Sequence, residues 1–395
     1  MPRVDTLGDA CSEIVDCAHK TAPIDQDGEY FAVGTPAMRG NTIDYSQARR
    51  ISKDTFDRWT TRLRPECGDL LLAREAPVGP VVRVPEAENV APGQRTVLLR
   101  PRPGVVESRF LYYYLTSPST QSALQVKASG STVPHLNVAD VRLLPTPGFP
   151  DYSEQQPIAE VLGALDDKIA ANDRLAGIVL ELARTSYTQA IEGRTTAVMA
   201  SVLEPVLGGT PSRSDASSWD GTIPWVSAKD ITGATQGIVI STAEKISQSA
   251  ASVKRLRPLP VGSVVLTARG TVGAVARLGI ASAINQSCYG FVPGSIPAGC
   301  LMYLIENASD QARAMAHGSV FDTITMRTFE HVRVPKLNMS EWARIESVVQ
   351  PLIASAQQAV SESSVLARTR DELLPLLMSG KVGVREAEKV AEGVV

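Results

Sequence analysis

Two acidic groups and a lysine follow each other in the order that metal-dependent nucleases use. Pro150-Asp151 is followed by Asp166-Asp167-Lys168. In such nucleases two carboxylates and a lysine converge from neighbouring strands onto Mg²⁺. Here the second group falls inside an amphipathic helical pattern, where its side chains flank the apolar stripe. We therefore expect solvated surface charges, and an autonomous nuclease stands only as an alternative.

Other common catalytic patterns are absent from the sequence. It has no G-x-x-x-x-G-K-[ST] phosphate loop, no G-x-S-x-G elbow and no H-E-x-x-H pair. It also has no Pro-Pro dipeptide, so the Asn/Asp-Pro-Pro-Tyr signature of adenine methyltransferases is missing. The four histidines (His19, His135, His317 and His331) lack the spacing of metal ligands. The sequence thus predicts no catalytic residue, no metal site and no cofactor.

Composition indicates a globular chain of two or three domains. Of 395 residues, 44% are hydrophobic and 21% are charged. The net charge of −3 favours neither a polyanionic nor a neutral partner. Five cysteines form no C-x-x-C pair, so we expect reduced thiols. With no apolar run of membrane-spanning length, we expect a cytoplasmic protein with no membrane span.

Basic residues nevertheless cluster locally. In the first half only Asp54 and Asp57 accompany the run Arg49, Arg50, Lys53, Arg58, Arg62 and Arg64. In the second half Lys254-Arg255-Leu256-Arg257 occupies a similar place. Such clusters are either solvated faces or the footprint of a nucleic acid.

The chain repeats itself. Gly68-Asp-Leu-Leu-Leu-Ala-Arg is followed by Val78-Gly79, and Gly262-Ser-Val-Val-Leu-Thr-Ala-Arg is followed by Val272-Gly273. Gly262 lies 194 residues after Gly68, and Gly273 lies 194 residues after Gly79. Further matches keep the same order down to Gly193-Arg194 and Gly380-Lys381. The period is far too long for a solenoid, so each repeat is a domain followed by a helix.

We predict a mixed α/β fold (α+β) in which two repeated domains alternate with two long helices packed as an antiparallel coiled coil. The predicted boundaries are 1–150 for the first domain, 151–194 for the first helix, 195–338 for the second domain, 339–381 for the second helix and 382–395 for a flexible tail. Apolar residues at steps of three and four define the helices, and Asn172 falls at a core position. Pro351 and Pro375 predict a kink or a break in the second helix. The predicted interface residues are Ile158, Leu162, Leu165, Ile169, Val179 and Leu182 on the first helix, and Ile345, Val349, Leu352 and Leu366 on the second.

This layout resembles the specificity subunit of type I restriction–modification enzymes. The segments that carry the resemblance are GDLLLAREAPVG from Gly68, GSTVPHLNVADVRLLPTP from Gly130, EQQPIAEVLGALDDKI from Glu154 and LLPLLMSGK from Leu373. The second repeat departs from the pattern, because Val320-Phe-Asp-Thr-Ile-Thr replaces the Thr-Val-Pro-His-Leu-Asn stretch.

The resemblance implies a non-catalytic subunit. Each domain would read one half of a bipartite, asymmetric double-stranded DNA site, and the helices would set the gap between the halves. Two adenine-methyltransferase subunits would dock on the helices, and restriction–translocase subunits would complete the complex. S-adenosylmethionine, Mg²⁺ and ATP would belong to those partners. A related adaptor of another phage-defence or DNA-methylation assembly is the alternative.

Phosphate contacts are expected from arginine and lysine, and base contacts from loop side chains. The candidates are Arg39, Arg62, Arg64, Arg74, Thr132 and His135 in the first domain, and Lys229, Arg255, Arg257, Arg269 and Arg327 in the second. For each of them a surface charge or an internal ion pair is the competing interpretation.

Overall fold

A computed structural model describes residues 4–128, 134–316 and 323–394. The chain forms two compact units. Unit 1 comprises Met1–Asp167 and Leu366–Val395, and unit 2 comprises Lys168–Val365. Each unit therefore combines one α/β domain with a segment of both long helices.

Unit 1 contains two small sheets. The elements in chain order are α1 (Leu7–Ala10), β1 (Cys11–Asp16), β2 (Tyr30–Val33), β3 (Arg49–Ile51), α2 (Lys53–Trp59), β4 (Leu70–Arg74), β5 (Val78–Arg83), β6 (Val90–Pro92), β7 (Thr96–Pro101), α3 (Ser108–Thr116), α4 (Pro118–Lys127), α5 (Val138–Arg142) and the start of α6 (Tyr152–Ile191). One sheet has the antiparallel order β1-β7-β4-β5, and the other has the order β3-β2-β6 with β2 and β6 parallel. The apolar run of β4 is buried, as a central strand requires.

Unit 2 repeats this plan and adds a third, two-stranded sheet among its described residues. Its elements are β8 (Thr196–Val198), β9 (Val206–Leu207), β10 (Ile223–Val226), α7 (Ala228–Thr232), β11 (Ile238–Val239), β12 (Glu244–Ile246), α8 (Gln248–Ala251), β13 (Val264–Thr267), β14 (Val275–Leu278), β15 (Ala283–Ile284), β16 (Cys288–Phe291), α9 (Ala298–Ala316), β17 (Arg333–Pro335) and most of α10 (Met339–Met378). Short 3₁₀ turns lie at Thr35–Ala37, Arg39–Asn41, Met199–Ser201, Ala216–Ser218, Thr235–Gly237, Lys254–Leu256 and Met326–Glu330.

Strand register confirms the internal repeat. Leu70 pairs with Arg83 in the β4–β5 hairpin, and Val264 pairs with Arg277 in the β13–β14 hairpin. The parallel pair β2–β6 of unit 1 recurs as β10–β15 in unit 2. The mixed α/β prediction is therefore correct for both units.

The long helices are continuous. Both α6 and α10 have 40 residues. Of the expected kink or break at Pro351 and Pro375, the break is wrong, since α10 passes through both prolines as one helix. Pro351 removes one backbone N–H, and its exposed position lets water satisfy the carbonyl left without a donor.

Within unit 2 the two helices run antiparallel and share one core. Asn172 Nδ2 donates to Glu362 Oε2 at 2.9 Å, and Arg194 pairs with Glu341 at 2.7 Å. Buried residues of both helices, Ile345 and Val349 among them, belong to the same hydrophobic cluster, against which the partly buried Val179 and Leu352 pack. Ile169 is partly buried.

Unit 1 holds the remaining helix segments. The predicted interface residues Ile158, Leu162, Leu165 and Leu366 are all buried in this unit. Arg370 of α10 donates to Asp166 of α6 at 2.6 Å. This ion pair joins the two helices inside the unit.

Leu182 is a correction to the predicted interface. Its side chain is 53% exposed, whereas Leu180 is 7% exposed. The buried stripe of α6 in unit 2 runs through Ala176, Leu180, Ala183 and Tyr187. The expected stripe followed the larger aliphatic residues, but the helix packs through alanines, whose small side chains allow a close approach.

The expected flexible tail is also corrected. Residues 382–395 contain α11 (Val384–Glu392), which buries Ala387. No helix among the described residues is both long enough and apolar enough to cross a membrane.

Candidate nucleic-acid interface

Most of the predicted DNA-binding cations are exposed and free of acidic partners. Within the described part of the chain they have no carboxylate within 4.0 Å. These seven residues are Arg39 and Arg62 in unit 1, and Lys229, Arg255, Arg257, Arg269 and Arg327 in unit 2. An exposed cation without an acidic partner is available to a phosphate.

The other candidates in unit 1 have internal contacts or cannot be placed. Arg64 lies 3.8 Å from Asp57 and 5.3 Å above the ring of Phe56. The backbone of His135 forms an isolated antiparallel β-bridge with that of Glu75. Thr132 lies outside the described residues.

Arg74 is held inside unit 1 by Asp16. Only 11% of its side chain is exposed, and its guanidinium lies 3.3 Å from Asp16 Oδ1 and donates to the carbonyl of Leu136 at 3.2 Å. Arg62 donates to the carbonyl of Asp16 at 3.2 Å, and His19 lies 2.9 Å from its carboxylate. Arg74 therefore shapes this surface from within, while Arg62 and His19 lie at its exterior.

Asp16, Cys17 and His19 have ligand atoms within 4.8 Å of one another, a grouping that could hold a metal ion. The guanidinium of Arg74 already neutralises the carboxylate of Asp16. Burial raises the pKa of the Cys17 thiol, which opposes formation of the thiolate that a metal prefers. The local electrostatics disfavour a cation here.

The nuclease alternative fails on geometry. Asp151 directly precedes α6, so about 22 Å of helix rise separates it from Asp166. Asp166 accepts hydrogen bonds from Tyr113 and Arg370, each at 2.6 Å, and Asp167 pairs with Arg109. These carboxylates cannot converge on one metal ion.

A cavity in unit 1 adds residues that are not among the predicted DNA-binding candidates. Its volume is about 230 Å³, and Gln47, Arg49, Gln94 and Arg95 line its wall. All four side chains are exposed. Glutamine amides match the N6 and N7 edge of adenine, and arginine matches O6 and N7 of guanine. This set of donors and acceptors has the chemistry of base recognition.

The floor of this cavity requires glycine. A Cβ atom at Gly93 would lie 2.4 Å from the backbone nitrogen of Gly34. The close approach of these two backbone segments places Gln94 at the cavity mouth, where it accepts a hydrogen bond from the Thr21 hydroxyl at 3.3 Å. Arg95 follows in the left-handed region with φ 71°.

Unit 2 has an equivalent loop with different side chains. Because β15 repeats β6, Gln286 and Ser287 take the places of Gln94 and Arg95. Strand β12 repeats β3, so Glu244 takes the place of Arg49. The two units thus share one glutamine and differ in charge at two neighbouring positions.

Arg213 organises the corresponding surface of unit 2. Its guanidinium lies 3.8 Å from the ring centroid of Trp219 and 5.4 Å from that of Trp225, and it pairs with Glu244 at 2.5 Å. The hydrogen bond from Arg213 lowers the pKa of Glu244. The Trp225 indole donates to the carbonyl of Gly209, a residue that packs against Arg255. Gly209 therefore lies between the exposed cation Arg255 and the indole of Trp225.

A duplicated α/β fold whose two copies carry different surface side chains defines a class, that of proteins with two related domains joined by long helices. The chain belongs to the family of the type I restriction modification DNA specificity domain, whose model matches residues 12–177 and 200–372. It is therefore a specificity subunit with two recognition domains, a DNA-recognition component and not a catalytic subunit.

Individual relatives agree with this assignment. The chain is 23% identical over 378 residues to the type I restriction enzyme MjaIX specificity subunit of Methanocaldococcus jannaschii, covering 86% of this chain and 83% of that protein. It is 19% identical over 389 residues to the HindI specificity subunit of Haemophilus influenzae, covering 75% and 82%. The crystal structure of a type I restriction–modification S subunit from M. genitalium shares the fold with a TM-score of 0.62, 14% identity and 94% coverage of each chain.

Proposed function

We propose that each unit reads one half of a bipartite, asymmetric double-stranded DNA site. The observation that carries this proposal is the repeated loop with divergent side chains. Gln94 and Gln286 occupy equivalent positions, while Arg95 is matched by Ser287. Two copies of one domain fold that carry different side chains for contacting base edges suit two different half-sites.

The exposed cations would hold the DNA backbone while the loops read the bases. In unit 2 Arg255 and Arg257 flank Leu256, which is buried in the same hydrophobic cluster as Trp225, and both arginines lack an acidic partner among the described residues. In unit 1 Arg62 is adjacent to the cluster around Asp16. Phosphate contacts of this kind fix the orientation of a protein on the duplex but carry no sequence information.

The long helices would set the gap between the half-sites. A continuous helix of 40 residues is about 60 Å long, more than the roughly 34 Å of one DNA turn. Antiparallel packing with a polar contact at Asn172 fixes the register of the pair in unit 2. A rigid pair in a single register is a suitable spacer.

The helices would also dock two adenine-methyltransferase subunits, to which the restriction–translocase subunits would be added. Support comes from an apolar stripe on the outer face of α6, where Leu175, Ile178 and Leu182 are 46%, 68% and 53% exposed. Their spacing of three and four residues places them on one face of the helix, as an amphipathic partner helix requires.

Exchange of one domain tests the proposal. Residues 1–150 are replaced by the matching domain of a relative, and the methylated sequence is read from cells by single-molecule sequencing. One half of the methylated site should change while the other half is retained. A change in both halves, or in neither, contradicts the two-domain reading.

Co-purification tests the partner. The tagged chain, co-expressed with the methyltransferase subunit encoded beside it, should capture that subunit. The triple variant Leu175→Ser, Ile178→Ser, Leu182→Ser should lose the capture without losing helix content by circular dichroism. Capture of a different protein in place of a methyltransferase would favour an adaptor of another defence assembly.

A further inference from the structure

Arg277 is a buried cation without an acidic partner. It lies in β14 with only 3% of its surface exposed. Its guanidinium donates to the carbonyl of Ala298 at 2.6 Å and to Gln350 Oε1 at 3.3 Å, and its Nε has no acceptor. The described part of the chain places no carboxylate within 4.0 Å of it.

The nearest negative charge is already engaged. Glu346 on α10 accepts hydrogen bonds from the backbone nitrogens of Gly299 and Cys300, at 3.0 and 2.9 Å, at the start of α9. Burial lowers the pKa of Arg277 in spite of the opposite influence of Glu346. The charge of Arg277 is therefore only partly compensated within unit 2.

Arg277 lines a cavity of about 260 Å³ on the side of α10. Three glutamine side chains, Gln350, Gln357 and Gln358, supply neutral amide groups to the same cavity, and Ala354 lies among them. Ala354 and Gln358 are exposed, so the cavity is reachable from the helix surface. A guanidinium with surrounding amides offers directed hydrogen-bond donors to a planar anion.

Unit 1 has the same arginine. Arg83 ends β5 at the position that Arg277 has in β14, since each pairs with the equivalent residue of the preceding strand. Arg83 is partly buried, and its Nε likewise lacks an acceptor. The duplication has thus given each unit an arginine at the same strand position with an unsatisfied Nε.

We propose that Arg277 and Arg83 are twin carboxylate-binding sites, each receiving one Asp or Glu side chain from a methyltransferase subunit. This assignment rests on the proposed function. Two equivalent sites on one chain suit two copies of the same partner. A carboxylate forms charge-assisted, bidentate hydrogen bonds with a guanidinium and removes the cost of an unpaired buried charge.

A DNA phosphate is the less suitable ligand. The free cations of the recognition surfaces are exposed, as contacts to a rigid duplex require, whereas Arg277 is recessed with 3% exposure. A flexible acidic side chain can enter a cavity that a phosphodiester backbone cannot. The single positive charge of Arg277 also matches the single negative charge of one carboxylate.

The test combines stability with capture of the methyltransferase subunit, read by native mass spectrometry and titration. Arg277→Met should leave the Tm of the free chain unchanged or raised, because an unpaired buried charge is removed. The same variant should weaken the binding of one of the two methyltransferase subunits about tenfold to a hundredfold. Arg83→Met should weaken the binding of the other subunit. Arg344→Met, at an exposed arginine of α10, should leave the binding of both subunits unchanged.

A second pair of variants avoids the arginine itself. Ala354→Glu places a carboxylate at the cavity, which should raise the Tm and compete with the partner, while Ala354→Gln matches its size without charge. Equal capture by the Glu and Gln variants overturns the assignment, as does unchanged capture by Arg277→Met. Loss of DNA affinity with intact capture also overturns it and indicates a phosphate. Failure of the wild-type chain to capture any methyltransferase overturns the proposed docking as well.

Discussion

Asn172 donates a hydrogen bond to Glu362 at 2.9 Å across 190 residues of sequence, joining the two long helices inside unit 2. Asn172 is 5% exposed, and Lys168 lies 3.3 Å from the same glutamate. A polar contact at a buried position such as Asn172 contributes less to stability than to the choice of one register, because shifting either helix would separate the buried amide from its acceptor.

Removing one member of this pair should be more damaging than removing both. Asn172→Leu leaves Glu362 facing an apolar side chain and should lower the free energy of unfolding by about 1–3 kcal/mol. The double variant Asn172→Leu, Glu362→Leu should recover most of that loss. Urea denaturation followed by circular dichroism measures both. A single variant as stable as the wild type would show that the contact is dispensable.

The corrected stripe of α6 gives a matched pair of truncations. Leu180 is 7% exposed and Leu182 is 53% exposed. Leu180→Ala should cost about 2–5 kcal/mol of stability, since it opens a cavity in the core of unit 2. Leu182→Ala should cost less than about 1 kcal/mol. The original prediction of Leu182 as an interface residue requires the reverse order, which thermal denaturation would reveal.

The same comparison shows what the sequence could and could not predict. Spacing of apolar residues located both helices, because burial of one face every three or four residues decides whether a helix forms. It could not decide between Leu182 and Ala183, because the choice depends on how closely the two helices and the domain core approach. Arg74 shows the same limit, since its partner Asp16 is distant in sequence.

The residues proposed to read bases were missed for a related reason. Gln94 stands out only when β6 is aligned with β15, and those strands are two or three residues long. The cavity itself depends on the close approach of Gly34 and Gly93, which brings distant loops together. An alignment of the repeats extended to these short strands would have paired Gln94 with Gln286.

Alanine at the paired glutamines should relax specificity in one half-site at a time. Gln94→Ala should reduce discrimination at one base pair by about 1–3 kcal/mol, and Gln286→Ala should do so in the opposite half. Binding to duplexes with single substitutions in each half of the methylated site measures the effect. Gln189→Ala, at an exposed position of α6, is the control and should change neither half. Relaxation of both halves by one variant would contradict the assignment.

The free cations of unit 2 should contribute to salt-dependent affinity. Arg255→Ala with Arg257→Ala should flatten the slope of log K against log salt by up to about 1.8, since each lost phosphate contact removes roughly 0.9. Arg62→Ala with Arg64→Ala should have a smaller effect, because Arg64 already contacts Asp57. Arg184 pairs with Glu306 at 2.7 Å, so Arg184→Ala serves as the control with an unchanged slope. Equal slopes for all variants would show that these clusters are solvated surface charges that do not contact phosphates.

Lengthening both helices together should lengthen the gap between the half-sites. Antiparallel pairing of Asn172 with Glu362 places residues 170 and 364 near the same level of the helix pair. A heptad inserted after Ala170 and another after Ser363 preserve the apolar stripe and add about 10.5 Å to each helix. Because one turn of about 34 Å holds about ten base pairs, the methylated halves should separate by about three pairs, with lower efficiency because their relative rotation also changes. A heptad in α6 alone should abolish methylation, since it breaks the register set by Asn172. Methylation of the original spacing at full efficiency by the double-insertion variant would show that the helices do not set the gap.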